Sequence, residues 1–432
     1  MENKESEMEY DNAFEIAASN LRFGPGATRE VGMDLSELGV KRVMVLTDPN
    51  LKKLPPVEKT LDSLSKEKIQ YSVFDRVRIE PTDSSLKAAI EFAQSEAFEG
   101  FVAVGGGSTI DTAKVANLYS TYPSDFLDYV NPPIGKGLPV PGELKPLYAI
   151  PTTAGTGSET TGVAIFDLER MHAKTGIAHR RLKPTLGIVD PENTRTLPPM
   201  AIACTGLDVF THAVESYTAM PFNKRPRPER PILRPAYQGS NPVSDIWSLQ
   251  AMRMAAQYLV RAFENPDDDE ARSIMLLAAS FAGVGFGNAG VTLPHGMSYP
   301  VSGMVKNYRA KDYPADHPMV PHGMAVVLNA PAAFRFTGSA CPERHLQAAE
   351  ALGVDIGGVK AEDAGKVLAD RVIEIMRRLD IPNGLSGIGY TQADIPKLVE
   401  GTLPQHRVVK LSPRPAGPEE LARIFEDAMI YW

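Results

Sequence analysis

Residues 100–114 read GFVAVGGGSTIDTAK and combine three signals for one local structure. The apolar run FVAV is typical of a buried strand, and three glycines follow it directly: Gly105, Gly106 and Gly107. Ser108 and Thr109 are cap candidates for a helix that begins there. Backbone N–H groups at such a helix start, with no Cβ atoms in the way, can bind phosphate oxygens. The stretch therefore predicts a strand, a tight turn and a helix with a candidate phosphate site.

The pattern around this stretch indicates an α/β fold. Up to about Pro198, short β-branched runs alternate with amphipathic segments, with candidate strands at 41–48, 69–75, 100–106, 146–151 and 185–190. After Pro198 strand signals nearly vanish, and helical periodicity covers 204–219, 242–263, 268–281, 342–352, 361–379 and 418–429. We therefore expect an α/β nucleotide-binding domain with a parallel sheet at residues 1–198, and an all-helical metal-binding and substrate domain at 199–432.

A second hydroxyl-rich stretch strengthens the phosphate interpretation, because a glycine run alone is more often only a flexible turn. PTTAGTGSE at 151–159 again follows an apolar strand, and it offers four hydroxyls: Thr152, Thr153, Thr156 and Ser158. Asp48 ends the strand KRVMVLTD and can accept hydrogen bonds from a ribose diol, where a 2′-phosphate would be repelled. We therefore expect NAD rather than NADP. The acid precedes the glycine turn, and the common GxGxxG fingerprint is missing from this chain.

Four side chains from separated stretches have the character of metal ligands. Asp208 and His212 in GLDVFTH lie four residues apart, on one face of a predicted helix. Such a pair alone is more often structural. However, His295 near a later helix end and His322 in a later loop both occur in Pro-His-Gly-Met, where glycine permits close backbone approach. Three imidazoles and a carboxylate suit Fe(II) or Zn(II) and can leave a coordination position open for a substrate oxygen.

Length, composition and charge exclude several classes of function. A chain of 432 residues is expected to form two domains, and a net charge of −8 argues against a nucleic-acid-binding surface spread over the molecule. Two cysteines far apart in sequence fit a reducing compartment. Residues 273–294 carry no charge, but their glycines favour a buried helix over a membrane span. We expect no membrane partner and a homo-oligomer, a dimer or larger.

The N-terminal segment MENKESEMEYDN bears on location. It is acid-rich and has no apolar core, which is the opposite of a secretory or mitochondrial targeting segment. We therefore expect a cytoplasmic protein, or a protein of the mitochondrial matrix if a transit peptide has been removed.

Several motifs together resemble the iron-dependent (group III) alcohol dehydrogenase family. They are GGGSxxDxAK at 105–114, PTTAGTGSE at 151–159, GLDxxTHAxE at 206–215, NPxSD at 241–245 and two HGM segments. They occur in order along nearly the whole chain. The stretches FEIAASNLRFGPG at 14–26, HGMSYPVSG at 295–303 and the segment at 393–415 most resemble a transhydrogenase branch of that family.

The resemblance implies an N-terminal dinucleotide-binding α/β domain and a helical domain, with the metal between them. It implies the ligands Asp208, His212, His295 and His322, and places Asp111 and Lys174 near the cofactor. The implied activity is metal-assisted hydride transfer from 4-hydroxybutyrate to 2-oxoglutarate through bound NAD, which gives succinic semialdehyde and 2-hydroxyglutarate. The nearest alternative is an ordinary NAD-dependent dehydrogenase of a small primary alcohol. A phosphate-handling synthase of the same superfamily fits the two HGM segments less well.

The sequence departs from the family pattern at one position. Many members have a second histidine four residues after the ligand that matches His295, whereas this chain has Tyr299. Tyr299 can transfer the proton, although tyrosine is a poorer base than histidine near neutral pH. Alternatively it lines the pocket while water carries the proton.

Two basic segments could hold a substrate carboxylate. Residues 222–241 carry five positive side chains against one Glu, and residues 306–321 carry three between the two HGM motifs. Solvated surface loops are the alternative, and we favour the functional interpretation for at least one arginine.

Overall fold

A computed structural model of the chain describes residues 9–171, 173–313, 315 and 317–432. The expectation about targeting concerns residues 1–12, and the first eight of these lie outside the described residues. Pro314 and Asp316 of the second basic segment also lie outside them.

Most of the N-terminal strands form one parallel sheet. Its order is β1-β8-β5-β4-β2-β3, and β6 and β7 form a separate antiparallel pair. The strands are β1 Asn20–Phe23, β2 Arg42–Leu46, β3 Gln70–Phe74, β4 Gly100–Gly105, β5 Leu147–Pro151, β6 Val163–Leu168, β7 Ala173–Ala178 and β8 Leu186–Val189. All residues of β4 are buried, as expected for a central parallel strand covered on both faces.

The predicted parallel α/β fold is confirmed, and the five candidate strands correspond to β2, β3, β4, β5 and β8. Strand order reverses beside β2, because the chain goes outward from β2 to β3 and then returns to β4 on the other side. Ligands of open α/β sheets bind beyond the carboxyl ends of the strands at such a reversal. Asp48 after β2 and the glycine turn after β4 lie at this place.

Helices cover the sheet and then form the remainder of the chain. Those of the N-terminal part are α1 Val31–Glu37, α2 Pro55–Lys66, α3 Asp83–Ser95 and α4 Gly107–Thr121. The later ones are α5 Pro199–Thr218, α6 Pro242–Glu264, α7 Asp269–Ala289, α8 Leu293–Gly303, α9 His322–Val327, α10 Ala330–Thr337, α11 Pro342–Ala351, α12 Ala364–Arg378, α13 Ile395–Thr402, α14 His406–Val409 and α15 Pro418–Asp427. The six predicted C-terminal helices correspond to α5, α6, α7, α11, α12 and α15.

Helix α5 is the central helix of the C-terminal part. It packs against α6, α7 and α9, and nearly all of its side chains are buried. Pro198 precedes it in an extended conformation, so the change from mixed to helical structure falls where the sequence indicates. The division into domains at 198 stays a prediction.

The uncharged stretch at 273–294 falls on α7 and the start of α8. Within the described ranges, no single helix has the length and apolarity to cross a membrane. By length and composition alone, α7 and α8 together pass that test, as a pair bent by 104°.

Candidate metal centre and nucleotide cleft

The four predicted ligands meet in one buried cluster. Asp208 Oδ1 lies 3.6 Å from His212 Nδ1, 3.7 Å from His295 Nε2 and 3.8 Å from His322 Nε2. The Nε2 atoms of His212 and His295 are 3.0 Å apart. Asp208, His295 and His322 offer donor atoms that all lie within 4.8 Å of one another. The sequence spacing therefore identified groups that the fold does bring together.

Local packing explains how three separate helices reach one point. Asp208 and His212 are one turn apart on α5, and His295 lies in the first turn of α8. His322 was expected in a loop, but it is the first residue of α9. A Cβ on Gly323 would lie 1.9 Å from the Cys204 carbonyl oxygen and 2.9 Å from Asp208 Cβ. Only glycine lets α9 begin directly against α5, which places the His322 imidazole beside the carboxylate.

The cluster fits a divalent cation. Within the described part of the chain, Asp208 Oδ1 and His212 Nδ1 are buried and have no hydrogen-bond partner. Their distance of 3.6 Å is too long for a hydrogen bond. Donors that bind one ion at about 2.0–2.2 Å lie about 3–4 Å from one another, which matches the separations of Asp208 from His295 and His322. His212 approaches Asp208 with Nδ1 and His295 with Nε2. An unpaired buried carboxylate oxygen is costly unless a cation or proton neutralises it.

Glu215 orients one of these imidazoles, and sequence reasoning missed it. Its Oε1 accepts a 2.6 Å hydrogen bond from His295 Nδ1, and its Oε2 accepts one of 2.7 Å from the Thr292 backbone N–H. The side chain is fully buried. This arrangement protonates Nδ1 and leaves the Nε2 lone pair for a metal. The signal was present as the acid three residues after His212 in GLDxxTHAxE.

Burial and neighbouring charges set the protonation states of the cluster. Burial lowers the pKa of His212 to about 3 and also lowers the pKa of His322. For Asp208, burial raises the pKa, but the adjacent imidazoles outweigh burial and hold it below its usual value. For His295, burial lowers the pKa, yet the Glu215 carboxylate outweighs burial and raises it to about 10. Neutral imidazoles and an ionised carboxylate are the forms that bind metals, so a bound metal would take the place of the second proton on His295.

A large cleft lies on one side of the cluster, at the reversal of strand order. Its volume is about 600 Å³, within the range of about 300–1,000 Å³ that is usual for ligand sites. Seven of the predicted cofactor-binding residues line it: Asp48, Gly106, Gly107, Ser108, Thr152, Thr153 and Thr156. Asp48 Oδ1 accepts hydrogen bonds from the backbone of Asn50 and Leu51, which fixes the carboxylate at the cleft wall.

The glycine turn lets neighbouring side chains approach the backbone closely, and no side chain caps the helix that follows it. Gly106 precedes α4 without a side-chain cap hydrogen bond, so Ser108 and Thr109 do not have the predicted capping role. The Ser108 hydroxyl instead accepts a 3.1 Å hydrogen bond from the Glu80 N–H. A Cβ on Gly107 would lie 2.6 Å from Thr156 Cγ2. The two motifs therefore touch, and the first N–H groups of α4 remain available to a phosphate.

Four other predicted cofactor residues lie elsewhere. Gly105 supports the turn, because a Cβ there would lie 2.3 Å from Thr109 Oγ1. Asp111, Ser158 and Lys174 line a smaller cavity of about 110 Å³ on the other side of the cluster. Asp111 Oδ1 accepts a 2.5 Å hydrogen bond from the Ser158 hydroxyl, which holds α4 against the loop after β5.

The two cavities share a wall that contains the metal cluster. Asp208, His322, Glu80 and Gly107 line both of them, whereas His212, His295 and Tyr299 line only the smaller one. Phe286 covers the cluster by stacking on the His212 ring at 3.9 Å between centroids. A ligand in the cleft and a ligand in the smaller cavity would therefore meet at the cation.

Lys174 stands in the smaller cavity with its charge already balanced. Its Nζ lies 2.5 Å from Glu80 Oε2 and 3.2 Å from Asp167 Oδ1. Burial lowers the pKa of Lys174, but these two carboxylates outweigh burial and raise it above its usual value. Glu80 has a positive φ of 55°, which is rare for a residue other than glycine and holds its side chain at the shared wall.

Arg407 is the second positive residue of the smaller cavity, and it was not identified from the sequence. Its Nη2 donates a 2.9 Å hydrogen bond to the Tyr299 hydroxyl, and its guanidinium lies 4.6 Å from the centre of the Tyr237 ring. Burial lowers the pKa of Arg407, but the two tyrosines outweigh burial and raise it.

Four of the eight basic side chains in the two segments that were predicted to hold a substrate carboxylate form ion pairs with acidic residues of the described ranges: Arg225, Arg227, Arg234 and Lys306. Arg225 and Arg234 bind Asp11 at 2.6 and 3.0 Å, and Lys306 binds Asp394 at 2.8 Å. Arg225 and Arg234 thereby hold the N-terminal segment around Asp11 against residues 222–241. Among the described residues, no Lys or Arg of either segment lines the two cavities.

Comparison with known proteins agrees with this architecture. The family "Iron-containing alcohol dehydrogenase" matches residues 18–191, and "Fe-containing alcohol dehydrogenase family, C-terminal" matches residues 236–429. The chain therefore belongs to the iron-containing alcohol dehydrogenase family, whose members are oxidoreductases that act on CH–OH groups.

Within this family the chain is similar to the mitochondrial hydroxyacid-oxoacid transhydrogenase of Bos taurus. The two are 60% identical over 421 residues, which cover 97% of this chain and 90% of that protein. Among solved structures, 1,3-propanediol oxidoreductase has a TM-score of 0.84 at 28% identity, over 97% of this chain and 100% of its own. The same fold occurs in a sulfoacetaldehyde reductase from Bifidobacterium kashiwanohense in complex with NAD+, with a TM-score of 0.78 at 24% identity, over 96% of this chain and 98% of its own.

Proposed function

We propose that this protein is a hydroxyacid-oxoacid transhydrogenase. In the proposed reaction 4-hydroxybutyrate is oxidised to succinic semialdehyde, and 2-oxoglutarate is reduced to 2-hydroxyglutarate. One substrate loses a hydride and a proton and the other gains both, so the reaction balances without an external oxidant. The observation that carries the proposal is the cation-binding cluster in the wall between a nucleotide-sized cleft and a small cavity. The 60% identity with the bovine transhydrogenase supports the particular reaction.

The proposed metal ligands are Asp208, His212, His295 and His322. Three imidazoles and one carboxylate suit Fe2+ or Zn2+, and the name of the family favours iron. When bound, the metal supplies Lewis-acid polarisation of a substrate oxygen, and NAD supplies the hydride chemistry. Glu215 keeps the His295 ring in one orientation throughout.

The proposed cofactor is NAD in the larger cleft. The pyrophosphate would bind at the start of α4, and the ribose diol would bind Asp48. The NAD+ complex of the reductase with the same fold supports this choice of cofactor. Asp111, Ser158 and Lys174 line the smaller cavity on the other side of the shared wall, and the nicotinamide end would reach this wall from the cleft. We propose that residues 1–198 carry the nucleotide and residues 199–432 carry the metal and the substrate.

Side chains of the smaller cavity would orient the substrate and exclude water. Phe286, Val291 and the ring of Tyr237 provide apolar walls. Tyr299 remains the candidate for proton transfer: its hydroxyl oxygen accepts from Arg407, so its own proton is free to be donated to a substrate oxygen. Since donor and acceptor would use the same cavity in turn, ping-pong kinetics are expected.

The test is the dependence of the reaction on oxo acid. Purified protein is incubated with 4-hydroxybutyrate, with and without 2-oxoglutarate, and succinic semialdehyde, 2-hydroxyglutarate and free NADH are quantified. The proposal predicts equal amounts of the two products and little free NADH. Strong steady-state NADH formation without any oxo acid would instead identify an ordinary alcohol dehydrogenase, the activity suggested by the similarity to 1,3-propanediol oxidoreductase.

We also propose a cellular location and an oligomeric assembly. Because the bovine relative is described as mitochondrial, we propose the mitochondrial matrix rather than the cytoplasm, and fractionation of cells that express the protein tests this. The homo-oligomer stays a prediction that light scattering of the purified protein can check.

A further inference from the structure

The guanidinium of Arg407 lines the smaller cavity and has one N–H group without a hydrogen-bond partner among the described residues. Nη2 is bonded to the Tyr299 hydroxyl and the Tyr237 side chain also bonds to the guanidinium, whereas Nη1 is buried and has no hydrogen-bond partner among the described residues. Across the same residues, no carboxylate lies within ion-pair distance of Arg407. The side chain is thus a half-buried cation with one buried, unsatisfied N–H group, and it lines the cavity that also contains the metal cluster.

Such an arrangement is unfavourable unless a ligand completes it. A buried charge is costly without a partner of opposite charge, and an unsatisfied buried donor adds to that cost. The cavity's other cation, Lys174, shows the contrast, because it has both Glu80 and Asp167 at 2.5 and 3.2 Å. Acids are not scarce in a chain of net charge −8. The missing partner of Arg407 is therefore expected to come from the substrate.

We propose that Arg407 binds the substrate carboxylate and thereby selects substrates by the distance between their acid group and their reacting carbon. This inference rests on the proposed function. The hydroxyl of Tyr299, the candidate for proton transfer, also holds one end of the guanidinium. Tyr237 holds the guanidinium face by a cation–π contact. An arginine fixed on two sides presents its fork to a carboxylate in a defined orientation.

The two proposed substrates share the geometry that Arg407 requires if it is the fixed anchor, that is, the residue that binds the substrate carboxylate. In 4-hydroxybutyrate three carbon–carbon bonds separate the hydroxyl-bearing carbon from the carboxylate carbon. In 2-oxoglutarate three such bonds separate the oxo carbon from the distal carboxylate. One cation at a constant distance from the metal therefore serves donor and acceptor in turn. The second carboxylate of 2-oxoglutarate, next to its oxo group, has no counterpart in 4-hydroxybutyrate, so it cannot be the shared anchor point.

The first experiment uses the wild-type protein and varies the substrate. The kcat/KM is compared for 3-hydroxypropionate, 4-hydroxybutyrate, 5-hydroxyvalerate and the uncharged 1-butanol. We expect a maximum at 4-hydroxybutyrate, with 1-butanol lower by about 10- to 150-fold, the worth of one charge-assisted hydrogen bond. A flat series, or 1-butanol equal to 4-hydroxybutyrate, would overturn the proposal.

The second experiment changes the anchor. Arg407→Gln should lower the ratio of kcat/KM for 4-hydroxybutyrate to that for 1-butanol by about 10- to 150-fold, and Arg407→Lys, which keeps the charge, should lower it less. Lys410→Gln removes an exposed positive charge three residues away and should leave the ratio unchanged. A Gln variant that loses both substrates in equal proportion would assign Arg407 a structural role instead.

A binding measurement separates this inference from the proposed reaction. Calorimetric titration with butyrate, which has the carboxylate but no hydroxyl, should show binding to wild type and to Lys410→Gln, and weak or no binding to Arg407→Gln. If wild type binds butyrate through Arg407 but does not reduce 2-oxoglutarate, the transhydrogenase proposal fails and the anchor stands. If butyrate binds equally to wild type and Arg407→Gln, the anchor fails whatever the reaction.

The role of Tyr299 is tested by Tyr299→Phe. Loss of the contact with Arg407 should raise the KM for 4-hydroxybutyrate several-fold, and loss of the proton donor should lower kcat and alter its pH profile. An unchanged KM would remove Tyr299 from the positioning of Arg407, and an unchanged pH profile of kcat would remove it from proton transfer.

Discussion

Glu215→Gln should weaken metal binding although Glu215 is not one of the proposed ligands. The carboxylate accepts hydrogen bonds at both oxygens, from His295 Nδ1 at 2.6 Å and from the Thr292 N–H at 2.7 Å. An amide has the same shape but accepts at one oxygen only. In the variant either the imidazole or the backbone N–H therefore faces an NH2 group, and His295 loses the partner that fixes its orientation.

The expected loss of metal affinity follows from the role of residues that hydrogen-bond to a metal ligand without binding the metal themselves. Removing one typically weakens metal binding by about 10- to 100-fold, which corresponds to about 1.4–2.8 kcal/mol. Because the group is fully buried, loss of a charge-assisted hydrogen bond should also destabilise the fold by about 1.5–3 kcal/mol. Both effects should appear in the same variant.

The assay is a competition between the protein and a chelator of known affinity, with bound metal measured by mass spectrometry. Thermal unfolding of metal-loaded and metal-free samples gives the effect on stability. Glu159→Gln is the matched control: Glu159 is also a buried carboxylate, but it bonds to Ser280 and lines neither cavity. It should leave metal affinity unchanged. If Glu215→Gln keeps wild-type metal affinity, or if both variants lose it equally, the orienting role of Glu215 is refuted.

Three further predictions concern the cluster and the N-terminal segment. His295→Ala should abolish metal retention and turnover while NAD binding, measured by calorimetry, persists; normal activity would defeat the ligand assignment. Gly323→Ala should lower metal affinity without removing a ligand, because the new methyl group would lie 1.9 Å from a carbonyl oxygen of α5 and must displace α9; unchanged metal content would contradict this. Asp11→Asn should destabilise the fold by about 1.5–3 kcal/mol near pH 7. The hydrogen bond from Arg234 lowers the pKa of Asp11, so its stabilisation is present above pH about 4 and is lost as the pH falls further; denaturant melts that show a penalty independent of pH would oppose this.

Much of the sheet could be predicted because its central strands are long apolar runs. β2, β4, β5 and β8 are almost entirely buried, so their sequences are apolar without interruption. Strand β1 was missed because three of its four residues are exposed, and an edge strand with a polar pattern resembles a loop. The β6 and β7 pair was missed as well, although β6 contains the apolar run VAIF; β7, AKTGIA, has no such run, and the pair lies outside the parallel sheet.

Helix α7 shows packing that overrides local preference. Helical periodicity predicted its end near Phe281, although the uncharged stretch 273–294 had also indicated a buried helix, and the helix continues through the glycines to Ala289. A Cβ on Gly283 would lie 2.2 Å from Thr160 Oγ1, and one on Gly285 would lie 2.5 Å from Ser248 Oγ. These glycines are close-contact positions inside a helix, not helix-terminating residues. Sequence periodicity alone cannot distinguish the two, because the neighbour that requires the glycine is distant in the chain.

The metal cluster and the anchor differ in how much of them the sequence reveals. Histidine is rare in this chain, and the repeated Pro-His-Gly-Met is enough to link His295 to His322. Arginine and lysine are common in this chain, so the sequence gives no comparable signal for Arg407. The prediction favoured the dense basic segment at 222–241 instead. The structure distinguishes Arg407 from the other cations. Among the described residues Arg407 has no carboxylate partner, whereas Arg225 and Lys174 each have at least one. A metal ligand can therefore be predicted from its position in a sequence motif. A substrate-binding cation is recognised in the structure, by the lack of a carboxylate partner among the described residues.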